Sequence, residues 1–262
     1  MRNVRGFLID LDGVLYVGDN AIPGAQETIE YLEENGFLFR FVSNTTRKSR
    51  SSIAKRLTAL GFNIPADYIF TPPRAAIGYM RTAGLHHCYL FTTGDAHTDF
   101  EQVPISESDT KTDCVIIGDA GERITYDNLN AMFRKVIEGA EIIALEKDRY
   151  WMAPEGLCLS AGPIVNAIEY ATGKKAIIVG KPSPDFFRLA LHDMGITPEE
   201  AVMIGDDILT DIGGAQAAGM RGVLVRTGKF REDRLKEAGI IPTRIIDSIA
   251  RLPEIMDIKH YK

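Results

Sequence analysis

The stretch Arg5-Gly-Phe-Leu-Ile-Asp-Leu-Asp-Gly-Val-Leu15 constrains this chain more than any other. Phe7, Leu8, Ile9 and Leu11, interrupted only by Asp10, form the apolar run of a strand covered on both faces, as in a parallel sheet. Asp10 and Asp12 stand where that run ends, and Gly13 lets the backbone turn sharply just beyond them. Carboxylates at the end of a core strand do not serve stability, because a buried unpaired charge is strongly unfavourable. Taken alone, Asp-x-Asp-Gly also describes an ordinary acidic turn. The remaining strand ends have to decide between the two.

At 262 residues the chain has room for two compact units and a sizeable core. A 45% hydrophobic and 25% charged composition is that of a globular protein and implies no disordered tail. The net charge of −6 argues against electrostatic binding to nucleic acid or to an acidic membrane surface. Basic runs such as Arg47-Lys48-Ser49-Arg50 and Lys174-Lys175 read as solvated faces. Cys88, Cys114 and Cys158 contain no Cys-x-x-Cys and read as free thiols of a reducing compartment. No apolar run nears eighteen residues, and the N-terminus opens directly into a strand without an apolar leader, so a soluble, cytoplasmic protein is expected.

Along the chain, apolar runs alternate with helical patterns. Gly18-Asp19-Asn20 reads as a tight turn after Leu15, and Pro23-Gly24 opens a helix with Ile29 and Leu32 on one face, closed by Asn35-Gly36. Phe37–Val42 is the second strand and ends in Ser43-Asn44-Thr45-Thr46, whose side chains suit either a ligand or the cap of the next helix. Pro72-Pro73 starts another helix ending near Gly84. Short strands at Cys88–Phe91, Cys114–Ile117 and Glu141–Leu145, with helices at Tyr126 to about Glu138 and Gly162–Thr172, read as a second α/β unit inserted in the first. The expected division is 1–77 with 178–262, and 78–177. Ala176–Val179 then leads to Gly180-Lys181-Pro182-Ser183-Pro184 and a helix to Met194; Ala201–Ile204 leads to Gly205-Asp206-Asp207, with Asp211 at the head of a small-residue helix. Strands at Gly222–Val225 and Arg244–Ile246 complete a fold of right-handed βαβ units, an α/β doubly wound parallel sheet.

In such a sheet the C-terminal strand ends converge on one crevice. Here those ends carry Asp10 and Asp12, Ser43 and Asn44, Lys181, and Asp206 and Asp207, with Asp211 close behind, while every strand body is apolar. Carboxylates so crowded do not all stay ionised unaided. The oxygen-rich set calls for a hard cation, and Mg2+ suits it, since Mg2+ keeps several waters and takes one or two carboxylates plus a phosphate.

Asp10-Leu-Asp12-Gly-Val, Ser43-Asn44, Lys181-Pro and Gly205-Asp-Asp-xxx-Asp211 resemble, in order, the four motifs of the haloacid dehalogenase (HAD) superfamily. The insert between the second and third motifs resembles the α/β cap of its NagD-type phosphatases, and Pro23-Gly24-Ala25, Phe41–Thr46, Gly180-Lys-Pro and Met203–Asp207 extend the likeness over nearly the whole chain. The resemblance implies a phosphoric monoester hydrolase. In it Asp10 is the nucleophile that forms an aspartyl phosphate, and Asp12 the general acid and then base. Ser43 and Asn44 donate to the phosphoryl oxygens, and Lys181 neutralises charge on Asp10 and the phosphate. A carboxylate oxygen of Asp10, the backbone carbonyl of Asp12 and Asp206 hold Mg2+, with Asp207 and Asp211 behind them. Asp12 has a role only where a leaving alcohol needs a proton, which favours phosphate esters over the halide substrates of superfamily dehalogenases.

Substrate choice is expected in the insert, where Arg149-Tyr150-Trp151-Met152 and Leu159–Pro163 stand out; Trp151 reads first as an aromatic packed on an edge. His86, His87, His97 and His192 lack metal-ligand spacing. The resemblance also implies a small-molecule phosphate ester as substrate and a homodimer formed through the cap. Two other readings use the same residues: a phosphomutase or phosphoryl transferase, and a phospho-accepting signalling domain of the receiver type. The second conflicts with the length of the chain and the order of its motifs.

Overall fold

The computed structural model describes residues 3–106, 111–153 and 156–256. They form two compact units, one of Met1–Ser43, Ala54–Phe70 and Lys181–Lys262, the other of Asn44–Ile53 and Thr71–Gly180.

The first unit is built on a six-stranded parallel sheet in the order Arg244–Ile246, Arg221–Val225, Ala201–Gly205, Gly6–Asp10, Leu38–Val42, Ile69–Phe70. The strand Gly6–Asp10 is buried along its whole length, as its unbroken apolar run requires. Its neighbours come from opposite directions in the sequence, so the order of strands reverses there, at the position where open α/β sheets hold their ligands. Register fixes the rest. Asp10 pairs with Val42 and Ile9 with Ile204, which brings Asp10, Ser43 and Asp206 to one end of three adjacent strands.

Two helices of this unit show why the sequence folds locally as it does. Ala25–Glu34 buries Ala25, Thr28, Ile29 and Leu32, one face at helical spacing, and Gly36 follows with φ 72°. Pro184–Met194 has proline in its first turn and Ser183 as its cap, the Ser183 side chain accepting from the Asp185 N–H at 3.3 Å. It buries Phe186, which packs edge-on against Phe70 and Phe187.

The second unit has a four-stranded parallel sheet, Ile177–Ile178, Glu141–Ala144, Cys114–Ile117, Cys88–Phe91. Helices Tyr126–Ile137 and Gly162–Thr172 supply Met132, Val136, Ile164, Val165 and Ile168 to its core. A separate antiparallel ribbon pairs Tyr150–Ala153 with Gly156–Leu159.

Several expectations change in detail. The boundaries fall at Thr71 and Gly180 instead of 78 and 177, and residues 44–53 group with the insert. The helix Pro72–Ala83 is tied to the insert's sheet by Tyr79, whose hydroxyl donates to Glu141 at 3.1 Å. The tight turn expected at Gly18-Asp19-Asn20 is present at Gly18-Asp19, where it joins the paired strands Tyr16–Val17 and Asn20–Ala21. Asp211 lies within a π-type turn, Ile208–Gly213, and the α-helix begins only at Gly214. Ser43–Thr46 do not cap the helix Arg50–Ala59; Ser49 does, its hydroxyl accepting from the Ser52 N–H at 3.2 Å. The three cysteines are unpaired, with Cys88 and Cys114 buried. Among the described residues no helix is long and apolar enough to cross a membrane.

Candidate active site

At the carboxyl ends of the first unit's central strands, Lys181 is almost wholly buried and donates from Nζ to Asp10 Oδ1 and to Asp211 Oδ1, both at 2.7 Å. Asp211 Oδ2 accepts the Asp207 N–H at 3.1 Å, so both oxygens of this buried carboxylate are engaged. Asp206 is equally buried. Its Oδ2 accepts the Lys229 N–H at 2.7 Å, whereas its Oδ1 has no hydrogen-bond partner among the described residues. Asp10, Asp206 and Asp211 each offer an oxygen within 4.8 Å of the others.

One ammonium does not balance three carboxylates. Burial pushes the Asp10 carboxyl up to about 7, against the pull of Lys181 and with Asp211 and Asp206 adding to the rise. Burial also raises Asp206, to about 6, opposed by the Lys229 N–H. For Lys181 burial acts downward, but the two carboxylates outweigh it and hold the ammonium above the usual lysine range. A buried acceptor with no donor, in a cluster short of positive charge, fits a hard cation such as Mg2+.

The other expected residues are placed as follows. Asp12 is exposed, in the turn that closes with a Gly13 N–H to Tyr16 carbonyl bond of 2.7 Å. Ser43 follows the strand beside Asp10 and donates its N–H to the Phe70 carbonyl at 3.2 Å. Asn44 is next in the chain, and its Oδ1 lies against Gly180, where a Cβ would come within 2.7 Å of it. Gly180 directly precedes Lys181. Asp207 stands outside the carboxylate group; its side chain caps the following turn by accepting from the N–H groups of Leu209 and Thr210 at 2.9 and 3.1 Å.

Sequence reasoning missed the loop Thr227-Gly228-Lys229. It follows the strand Arg221–Val225, its Thr227 hydroxyl donates to the Gly13 carbonyl, and its Lys229 N–H holds Asp206. A Cβ on Gly13 would fall 1.9 Å from Asp206 Oδ2, and one on Gly228 2.1 Å from it, both at positive φ. A Thr-Gly-Lys at a strand's carboxyl end was the available signal, of the same kind as the four that were read.

The second unit carries its own cleft of about 750 Å³, walled by Thr46, Arg47, Asp119, Asp148, Trp151 and Leu159 among others. Trp151 lies on the ribbon with the Arg47 guanidinium 5.5 Å from its ring centroid.

Residues 7–106 match the family described as haloacid dehalogenase-like hydrolase, and residues 178–252 the one described as HAD-hydrolase-like. The phospholysine phosphohistidine inorganic pyrophosphate phosphatase of Homo sapiens is 38% identical over 262 residues, covering 98% of this chain and 95% of that one. The chain belongs to the haloacid dehalogenase-like hydrolase family. Within that family it is also 43% identical to haloacid dehalogenase-like hydrolase domain-containing protein 2 of Bos taurus, over 90% of this chain and 91% of the relative. Among solved structures, the 4-nitrophenylphosphatase of Thermotoga maritima superposes with a TM-score of 0.86 at 27% identity, covering 96% and 97% of the two chains. NagD of E. coli K-12 does so at 0.84 and 27%, covering 94% and 97%. The HAD-type doubly wound fold, the NagD-like class and the phosphoric monoester hydrolase class stand together.

Proposed function

We propose that this phosphatase hydrolyses a small phosphorylated metabolite through an aspartyl phosphate on Asp10, with Mg2+ as cofactor. The observation that carries the reading is the buried Asp10–Lys181–Asp211 chain beside an Asp206 oxygen that lacks a partner. Asp10 Oδ attacks phosphorus as the bond from phosphorus to the leaving oxygen breaks, and Asp12 gives that oxygen its proton. Asp12, now a carboxylate, takes a proton from water. That water attacks the phosphorus, the bond to Asp10 breaks, and inorganic phosphate leaves. Lys181 favours the ionised form of Asp10 and offsets the phosphoryl charge, while Asp211 fixes Lys181 in place. Ser43 and Asn44 donate to the non-bridging oxygens. Asp10, Asp206 and the Asp12 carbonyl are the groups that would hold Mg2+, with Asp207 and Asp211 behind them. Bound Mg2+ supplies positive charge against the phosphoryl oxygens, the main requirement of phosphoryl transfer.

In the same reading the insert selects the substrate and forms the contact of a homodimer. A reducing, cytoplasmic setting fits the unpaired cysteines.

The test is phosphate release from p-nitrophenyl phosphate, phospholysine, phosphohistidine, pyrophosphate and a panel of metabolite phosphates, with Mg2+ and with EDTA. Release is expected to need Mg2+ and to fall by roughly a thousandfold or more in Asp10→Asn with an unchanged circular-dichroism spectrum. Turnover retained in Asp10→Asn would remove the nucleophile. A phosphorylated acceptor in place of free phosphate would make the enzyme a transferase.

A further inference from the structure

The phosphate-contacting pair Ser43–Asn44 sits at a boundary. Ser43 belongs to the unit with the six-stranded sheet, and Asn44–Ile53 to the other. From Thr46 onward this segment is held chiefly by the stretch Thr92–Asp99 of the insert, with Asp119 beside it. The Thr92 hydroxyl donates to the Thr46 carbonyl at 2.8 Å, and the Asp95 N–H to the Arg47 carbonyl at 3.1 Å. Asp95 Oδ1 accepts the Ser49 N–H at 3.0 Å; its Oδ2 accepts the Ser49 hydroxyl at 2.9 Å and, more closely still, the Ser52 hydroxyl. Asp99 accepts the Arg50 N–H at 3.2 Å. Asp119 N–H donates to the buried Thr46 hydroxyl at 3.2 Å.

Three properties set Asp95 apart within this seam. It binds both the cap residue Ser49 and the first-turn residue Ser52 of the helix Arg50–Ala59, so its negative charge lies at a helix N-terminus. Hydrogen bonds, that from Ser52 foremost, hold its carboxyl below the usual range, so it remains an acceptor throughout the neutral region. Gly94 beside it has φ +70°, and a Cβ there would lie 2.1 Å from the Arg47 carbonyl, so the two segments approach as closely as backbones can.

We propose that Asp95 is a positioning residue for phosphate binding: it clamps residues 47–52 and thereby sets where Asn44, at the start of the same segment, meets the phosphoryl group. The inference rests on Ser43 and Asn44 as the phosphate donors. Asp95 touches neither substrate nor metal; it acts on the loop. Loss of Asp95 is therefore expected to act on the loop's contact with phosphate and to leave the metal-holding carboxylates, which lie outside the clamped segment, in place.

The experiment compares Asp95→Ala, Ser52→Ala and Asn44→Ala with the unmodified protein. It reads the inhibition constant of inorganic phosphate against p-nitrophenyl phosphate hydrolysis and the Mg2+ concentration for half-maximal activity. Asp95→Ala is expected to raise the phosphate constant and KM by roughly tenfold or more, with the Mg2+ value within about twofold. Ser52→Ala, which removes one donor and no buried charge, is expected to raise the phosphate constant by a few-fold, and it decides the matter if Asp95→Ala does not fold. An unchanged phosphate constant in Asp95→Ala, or in Ser52→Ala where that variant decides, overturns the clamp. So does a parallel loss of phosphate and Mg2+ affinity, which marks general disruption. If Asn44→Ala itself leaves the phosphate constant unchanged, it is the assignment of the phosphate donors that fails.

Discussion

Asp206 and Asp10 show how much a single carboxylate reveals about its surroundings. Their positions were legible because each ends an apolar strand. Which oxygen of Asp206 lacks a donor was not, because that depends on the Lys229 N–H, supplied by a backbone whose side chain is irrelevant to the contact. Likewise Asp207 and Asp211 look equivalent in sequence, yet one caps a turn and the other holds Lys181. Burial raises Asp10 to about 7 and Asp206 to about 6, while in the unfolded chain aspartate titrates near about 3.9. In metal-free protein the folded state therefore holds these protons more tightly. That contribution to stability is complete below about pH 4 and is lost as pH rises through 6 and 7. Melting in EDTA should fall by roughly several degrees between pH 5 and pH 8, and Asp206→Asn should flatten the decline. Mg2+ should raise the melting temperature more at pH 8 than at pH 5. A melting temperature that climbs across this range in EDTA would refute the raised values.

At the scale of elements, strands and helix stops were read well wherever apolar runs met Gly or Pro. Gly84, Gly173 and Gly195 each end a helix in the left-handed conformation. The ribbon Tyr150–Ala153 with Gly156–Leu159 was not read, since Trp151 and Cys158 oppose one another in a short segment without clear alternation. Nor was the loop after Arg221–Val225, which acts through the Thr227 hydroxyl, the Lys229 N–H and the close approach of Gly228 to Asp206. Gly228→Ala tests that loop. Its Cβ would press on Asp206 Oδ2 at 2.1 Å and on Gly13 Cα at 2.5 Å, at φ +64°. The half-saturating Mg2+ concentration is expected to rise by roughly tenfold, with about 1–3 kcal/mol of stability lost. Gly18→Ala is the control: its φ is +57°, but nothing lies within 4 Å, so backbone strain comes without injury to the site. Equal Mg2+ requirements in the two variants would show that the loop has no part in metal binding.

Over the whole molecule, the parallel α/β architecture followed from the alternation of strands and helices, but the membership of residues 44–53 did not. That segment reads as the ordinary start of a helix, and its partners at 92–99 lie far off in sequence, in a polar stretch without periodicity. Each unit has its own core. In the first, Phe186 is fully buried between Phe70 and Phe187. Phe186→Ala is expected to cost about 3–5 kcal/mol, read from the midpoint of denaturant unfolding. A loss below about 1 kcal/mol would mean that this packing is dispensable.

The sheet order has a consequence for how the chain is made. Gly6–Asp10 leaves the ribosome well before one of its two neighbours, Ala201–Gly205, because the whole insert lies between them in sequence. Throughout synthesis of the insert, the strand that carries Asp10 can pair on one side only and presents an open, apolar edge. Asp10 meets Lys181 and Asp206 only after the insert has been made. A chain cut short after the insert would thus keep the cleft's residues but lack the partner strand, and its fate would be association with other unfinished chains instead of slow catalysis.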